Sequence, residues 1–279
     1  LRGAMETHQG PPGKLSEKVV RSVVALTNQG LPGKACKLLL SNGIASWDEE
    51  TRDKVQHLFP EGSPELIPQL TSSADPFTTD EVSSAFKRMG RGKAHGPSGL
   101  RTEHLQDLLK DSHVGEKVLD ALTEFVNTVA FGKSPRALAE MLCAGRVVPL
   151  EKKNNGIRPL VVGECLRNLV ALCWLGRVGT AMEEDLQPQH LGTGRITGVE
   201  NAVHRAKLMI DHMAPEEVAV KIDFANAYNT VDRRAIVEAV QGRCPELAGW
   251  AGWTLGCRAI LAAGSGTVEK GGKRRITNN

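Results

Sequence analysis

The sequence predicts an α+β chain: a helical N-terminal part, a β-hairpin near the middle, and a further strand set among helices. Three observations carry this. Apolar residues recur at helical spacing before residue 145, the period falls to two on either side of Asn155-Gly156, and a second alternating run occupies Val218–Phe224.

The elements follow in order. Val19, Val20, Val23, Val24 and Leu26 mark a helix over 16–29, ended by Gly30, and shorter helices are expected over 34–41 and 48–59, the latter stopped by Pro60. Pro60, Pro64, Pro68 and Pro76 make residues 60–76 read as a linker. Thr78 and Glu81 have capping-box spacing, and Val82, Ala85, Phe86 and Met89 form the stripe of the helix they open. A basic, glycine-rich loop, Gly90–Gly99, comes next. Val118, Leu119, Leu122, Phe125, Val126 and Val129 give a longer helix, and Ser134-Pro135 starts another with a cap and a first-turn proline. Arg146–Leu150 and Ile157–Val162 are the hairpin strands, with Asn155-Gly156 as a two-residue turn. A buried helix spans 164–186. Thr197 and Glu200 form a second capping box, opening a helix to about Met213. Val218, Val220, Ile222 and Phe224 alternate with Ala219, Lys221 and Asp223 as a half-buried strand, and helices fill the chain to about Cys257.

Composition narrows the classes. The 279 residues are 41% hydrophobic and 24% charged, enough to bury a core, which excludes disorder, collagen and coiled coil as descriptions of the whole. The longest apolar run, Leu169–Gly176, is too short for a membrane span. No basic region followed by an apolar stretch opens the chain, so no secretory leader is expected, and Leu1 in place of Met reads as a cut edge. The six cysteines contain no Cys-x-x-Cys pair and no histidine at zinc spacing; reduced, mostly buried thiols of an intracellular protein are expected. Thirty-five Lys and Arg against 32 Asp and Glu permit a polyanionic partner without demanding one. The cations gather in two groups, Lys87, Arg88, Arg91 and Lys93, then Arg146, Lys152, Lys153 and Arg158; each is either a solvated face or a phosphate-binding surface. Only 11 aromatic residues argue against binding that relies on base stacking.

Two places suggest chemistry. Alternation turns Asp223 away from the apolar layer near the end of its strand, where a carboxylate either helps bind Mg²⁺ or hydrogen-bonds the following turn. A two-residue Asn155-Gly156 turn would set Lys153 opposite Arg158. Like charges facing each other are destabilising unless a polyphosphate lies between them or both side chains splay into solvent.

Taken together these segments resemble the reverse transcriptases of non-LTR (LINE-like) retrotransposons. Val147-Val148-Pro149-Leu150-Glu151-Lys152-Lys153 with Gly156-Ile157-Arg158-Pro159-Leu160 resembles their fingers motif, and Val220–Arg233, containing Ile222-Asp223-Phe224-Ala225-Asn226-Ala227-Tyr228, resembles their first palm motif. Gly92-Lys93-Ala94-His95-Gly96-Pro97-Ser98-Gly99-Leu100 is similar to an upstream segment of that family, and Gln189–Gly192 through Glu200 to the segment between fingers and palm. Order and spacing agree over roughly residues 78–240.

The resemblance implies a helical extension with its Pro-rich linker over 1–75, a fingers region over 76–215, and an incomplete right-hand polymerase palm over 216–279. It implies Mg²⁺, or Mn²⁺ in its place, ligated by Asp223 with help from the Phe224 carbonyl. Lys152 or Lys153, with Arg158, would grip the triphosphate of a deoxynucleotide, and Tyr228 would pack under its sugar. Lys93 and Arg146 would follow the phosphates of an RNA template and DNA primer. A nuclear location follows from the resemblance alone, and no membrane is implied.

Two departures stand out. Ser98 occupies a position where many relatives carry Asp. Two-metal chemistry needs a second carboxylate, which the family supplies as an Asp-Asp hairpin, and no Asp-Asp pair occurs here; Asp232 and Asp185 are poor substitutes. The chain is therefore expected to stop before its palm is complete, to lack polymerase activity alone, and to expose an unpaired sheet edge that limits solubility. The competing readings are a non-catalytic nucleic-acid-binding remnant and an RNA-directed RNA polymerase; Tyr228 argues against the second because a bulky ring crowds a 2′-hydroxyl.

Overall fold

The computed structural model describes residues 17–41, 43–60, 67–152, 156–192, 197–263 and 275–277. The chain divides into two compact units, residues 1–55 with 148–160, and residues 56–147 with 161–279.

In the first unit α1 (Glu17–Asn28) packs on α2 (Pro32–Leu39), and α3 (Glu49–His57) follows. Gly30 takes the left-handed backbone that ends α1 (φ 71°), and the Asp48 carboxylate caps α3 by accepting from the Thr51 amide at 2.7 Å. The outer part of the hairpin belongs here, with Ala45 donating its amide to Pro149 at 2.9 Å and Ile44 bridging Leu150 antiparallel.

The second unit holds the larger core. The box at Thr78 forms as expected: the Glu81 amide donates to Thr78 Oγ1 at 3.2 Å, and the Thr78 amide donates to Glu81 Oε2 at 2.8 Å. It opens α4 (Thr79–Lys87), whose Val82, Ala85 and Phe86 are buried. α5 (Thr102–Lys110) comes next, an element the apolar pattern did not reveal. α6 (Gly115–Val129) packs against both, and α7 (Arg136–Leu142) follows a tight turn. Ser134 does not cap α7; its hydroxyl donates back to Thr128 O.

That turn needs glycine. Gly132 sits at φ 72°, and a Cβ there would lie 2.5 Å from Leu70 O and 2.6 Å from Gly249 O. The described part of the Pro-rich stretch is packed at this point: Ile67 is buried, Arg136 Nη2 donates to its carbonyl at 2.7 Å, and the Ser72 amide donates to Phe131 O at 3.3 Å.

β1 (Gly145–Glu151) and β2 (Ile157–Gly163) are the expected hairpin strands, followed by the long buried α8 (Cys165–Leu186). α9 (Gly198–Asp211) forms, but without its capping box. Thr197 lies at φ 67°, and its side chain makes no cap bond, because an N-cap needs extended backbone to aim its hydroxyl at the first turn.

The clearest difference concerns residues 218–224. The chain there forms no strand, and Val218, Val220, Ile222 and Phe224 are 82%, 76%, 73% and 76% exposed. Alternation supplies a face to bury, yet a strand also needs a neighbour for its backbone groups, and no described strand pairs with this one. Val199, Val203, Leu208, Met209 and Ile210 of α9 are exposed as well, so residues 199–224 carry a long apolar surface.

α10 (Ala227–Thr230), α11 (Arg233–Arg243) and α12 (Pro245–Leu255) complete the helices, and β3 (Ile260–Ala263) and β4 (Arg275–Thr277) add strands the sequence did not reveal. The sheet order is β2-β1-β3-β4, with β3 parallel to β1 (Gly145 beside Leu261) and antiparallel to β4.

At the core Phe77, Phe131 and Trp174 meet with ring centroids 5.0–5.8 Å apart, and the Trp174 indole donates to Ala130 O at 3.1 Å. Arg177 covers this cluster, its guanidinium 3.8 Å from the Phe77 centroid and held by Glu81 at 2.8–3.0 Å. Burial works against the charged Glu81, but the Thr78 amide and Arg177 overcome it and hold the carboxyl below its ordinary value of 4.5. A depressed folded value adds stability above pH 4.5 that fades as pH falls through the folded value. Glu81→Gln is therefore expected to be less stable than the parent at pH 7 and to show a shallower loss of stability below pH 4.5, read by urea titrations at several pH values.

Candidate functional site

The predicted site residues fall in both units. Lys152 and Arg158 belong to the hairpin in the first; Lys93, Arg146, Asp223, Phe224 and Tyr228 lie in the second; Lys153 lies outside the described residues, with Asn154 and Asn155.

On the hairpin, Lys152 and Arg158 are exposed. The Lys152 amide donates to Gly156 O at 2.8 Å, so three residues separate the bonded pair. The expected Asn155-Gly156 turn, and with it the facing of Lys153 and Arg158, lies outside the described residues.

The glycine-rich loop is tied at both ends by carboxylates. Glu103 accepts from the Gly92 amide. Glu164, only 6% exposed at the start of α8, accepts from the Ser98 amide at 2.8 Å and the Ser98 hydroxyl at 2.6 Å. Gly96 lies against the same residue: a Cβ there would be 2.8 Å from Gly163 O and 2.9 Å from Glu164. Arg146 is drawn into this arrangement, its Nη2 donating to His95 O at 3.4 Å while its Nε is buried without a partner. It braces the loop from β1, and Lys93 stands exposed on the loop that it braces.

Asp223 is exposed near the end of the 218–224 segment, and among the described residues no group of three or more acidic, histidine or cysteine side chains could hold a metal ion. The two other carboxylates considered are engaged. Asp232 caps α11, accepting from the Ala235 amide at 2.9 Å, and Asp185 pairs with Arg243 at 2.7 Å. Tyr228 is 99% exposed, and Phe224 projects into solvent beside it in sequence. What fixes this region is a pair of asparagines the sequence reading passed over. Asn226, at φ 54°, and Asn229 both donate to Leu58 O, at 2.8 and 2.9 Å, and bond each other at 3.0 Å. The Asn-x-x-Asn spacing after an extended run was the available signal, since asparagine is enriched at left-handed positions. For Glu164 no local signal existed; its partner lies 66 residues away.

No protein-family model matches the chain. Among curated proteins it is similar to the retrotransposable element SLACS 132 kDa protein of Trypanosoma brucei gambiense, 28% identical over 193 residues. The match covers 69% of this chain and 15% of that protein, which relates the chain to a retroelement protein. No described helix is long and apolar enough to cross a membrane.

Ser98→Ala leaves one Glu164 oxygen short of its hydroxyl donor, and is expected to cost roughly 1.5–3 kcal/mol, with faster amide exchange at Gly99 and Leu100. Ile222→Ser, by contrast, removes an exposed side chain and is expected to change stability by less than about 0.5 kcal/mol in urea unfolding while reducing self-association.

Proposed function

We propose that the chain is the fingers region, residues 76–215, and part of the palm, residues 216–279, of an RNA-directed DNA polymerase of retroelement origin, carrying residues 1–75 as a helical extension. The observation that carries this reading is the β1–β2 hairpin, which forms at the two segments resembling the fingers motif and leaves Lys152 and Arg158 exposed. The retroelement relative and the braced loop bearing Lys93 support it. Ordered cations on a rigid loop suit the phosphates of a template–primer duplex, a contact blind to sequence and sensitive to salt. Arg146 acts in this reading as a brace for the loop more than as a phosphate ligand.

The residues present do not fit a two-metal centre. Among the described residues Asp223 belongs to no group of three or more acidic, histidine or cysteine side chains that could hold a metal ion, and Asp232 and Asp185 are committed to a helix cap and an ion pair. In the parent enzyme Mg²⁺ or Mn²⁺ supplies the charge that nucleotidyl transfer needs; in this chain no step is assigned to it, and the chain by itself is an RNA and DNA binder without polymerase activity. The same observation favours a second reading, a nucleic-acid-binding remnant of a retroelement that has no catalytic parent.

Fluorescence anisotropy against an RNA template–DNA primer duplex tests the reading. Binding is expected to weaken linearly in log–log salt titrations, and Lys93→Ala to reduce the slope by about 0.7–0.9, one phosphate contact. No extension of the primer is expected with deoxynucleotides and either metal. Extension that Asp223→Ala abolishes would refute the inactive assignment, and failure to bind any nucleic acid at low salt would refute the fingers assignment. A preference for the primed duplex over unprimed RNA separates the polymerase reading from the remnant.

A further inference from the structure

Cys143 closes α7, and Cys257 follows the end of α12. Their sulfurs share one acceptor, Cys143 Sγ lying 3.8 Å and Cys257 Sγ 3.1 Å from Thr254 O. Two guanidinium groups, of Arg167 and Arg233, act on the pair; Arg167 Nε is buried without a partner, and Arg233 Nη1 reaches Leu255 O at 3.5 Å. Cys143 is half-buried and so within reach of a small solute, whereas Cys257 is buried behind it.

The remaining cysteines differ. Burial pushes the thiols of Cys165, Cys173 and Cys244 up, that of Cys173 to about 11, and Cys36 is exposed on α2. The neighbouring Cys257 thiol holds the Cys143 thiol below its ordinary value of 9.0 against the effect of burial, and the two arginines add to that, while the same proximity pushes Cys257 up. Cys143, the more accessible of the two, is the sulfur that an oxidant in solution would meet first.

We propose that Cys143 and Cys257 form a reversible oxidation site, at which a peroxide converts the pair to a disulfide that ties the end of α7 to the segment after α12. The Cys143 thiolate attacks one peroxide oxygen and the O–O bond breaks, giving a sulfenic acid and a hydroxide that is protonated to water. The Cys257 sulfur then attacks Cys143 Sγ. The S–O bond breaks, and hydroxide leaves with the Cys257 proton as a second water. Two thiols lose two electrons in all, and one hydrogen peroxide becomes two waters. A dithiol reductant restores both thiols by exchange.

The test uses the whole chain. After a brief exposure to hydrogen peroxide, free thiols are alkylated and the peptides mapped without reduction. The Cys143–Cys257 peptide pair is expected as the main cross-linked product, formed before Cys36 is oxidised and lost on adding dithiothreitol; the oxidised protein should melt roughly 5–10 °C higher than the reduced one. In Cys257→Ser the reaction should stop at the Cys143 sulfenic acid, captured by a dimedone-type reagent. Cys143 reacting no faster than Cys36, or a cross-link joining other cysteines, overturns the proposal. The peptide map of the unsubstituted chain decides this even if the variant does not fold.

Discussion

The larger unit is organised around one charged group held over an aromatic cluster. Arg177 lies on the ring of Phe77 and is clasped by Glu81, which at the same time closes the capping box that starts α4. Asn127 holds the Phe77 backbone from the other side, accepting its amide at 2.7 Å and donating to its carbonyl at 2.9 Å. Three elements distant in sequence, α4, α6 and α8, thus meet at one phenylalanine. A guanidinium is suited to this because its flat, weakly hydrated face stacks on a ring while its edge keeps its hydrogen bonds.

The placement of α8 has consequences at its first residues. Fixed along its length by Leu169, Val170, Trp174 and Arg177, the helix presents the buried Glu164 to the loop at Ser98. The loop resembling a retrotransposon segment is therefore a shaped object, tied to the core through a carboxylate. Serine at position 98 bears directly on that arrangement: an acidic side chain there would face Glu164, whereas the hydroxyl donates to it. Ser98 and the buried glutamate are one feature.

A contrast runs through the second half of the chain. Residues around α12 are tightly enclosed, with Trp250 and Trp253 stacked at 5.5 Å and the Trp253 indole donating to Ser134 O at 2.8 Å. The stretch from α9 to Tyr228 has the composition of a buried sheet and helix yet meets little of the chain. Local residue choice there anticipates neighbours that the described chain does not supply, and a segment that no described strand pairs with stays a loop however well it alternates.

The sequence by itself determined what depends on near neighbours: the helices with apolar stripes, the Thr78–Glu81 cap, the stop at Gly30 and the existence of the β1–β2 hairpin, because these need only spacing and local backbone preference. It also singled out Lys93, Lys152, Arg158 and Asp223 as candidate ligand-binding groups, and the structure leaves all four exposed. Tertiary structure alone decided the rest. It withheld the strand at 218–224 and left Phe224 and Tyr228 uncovered, set the Arg146 guanidinium against His95 O, and gave Asp232 and Asp185 other work. It also brought Glu164 to Ser98 and Cys257 to Cys143. Each of these outcomes rests on a partner far away along the chain, which no periodicity encodes.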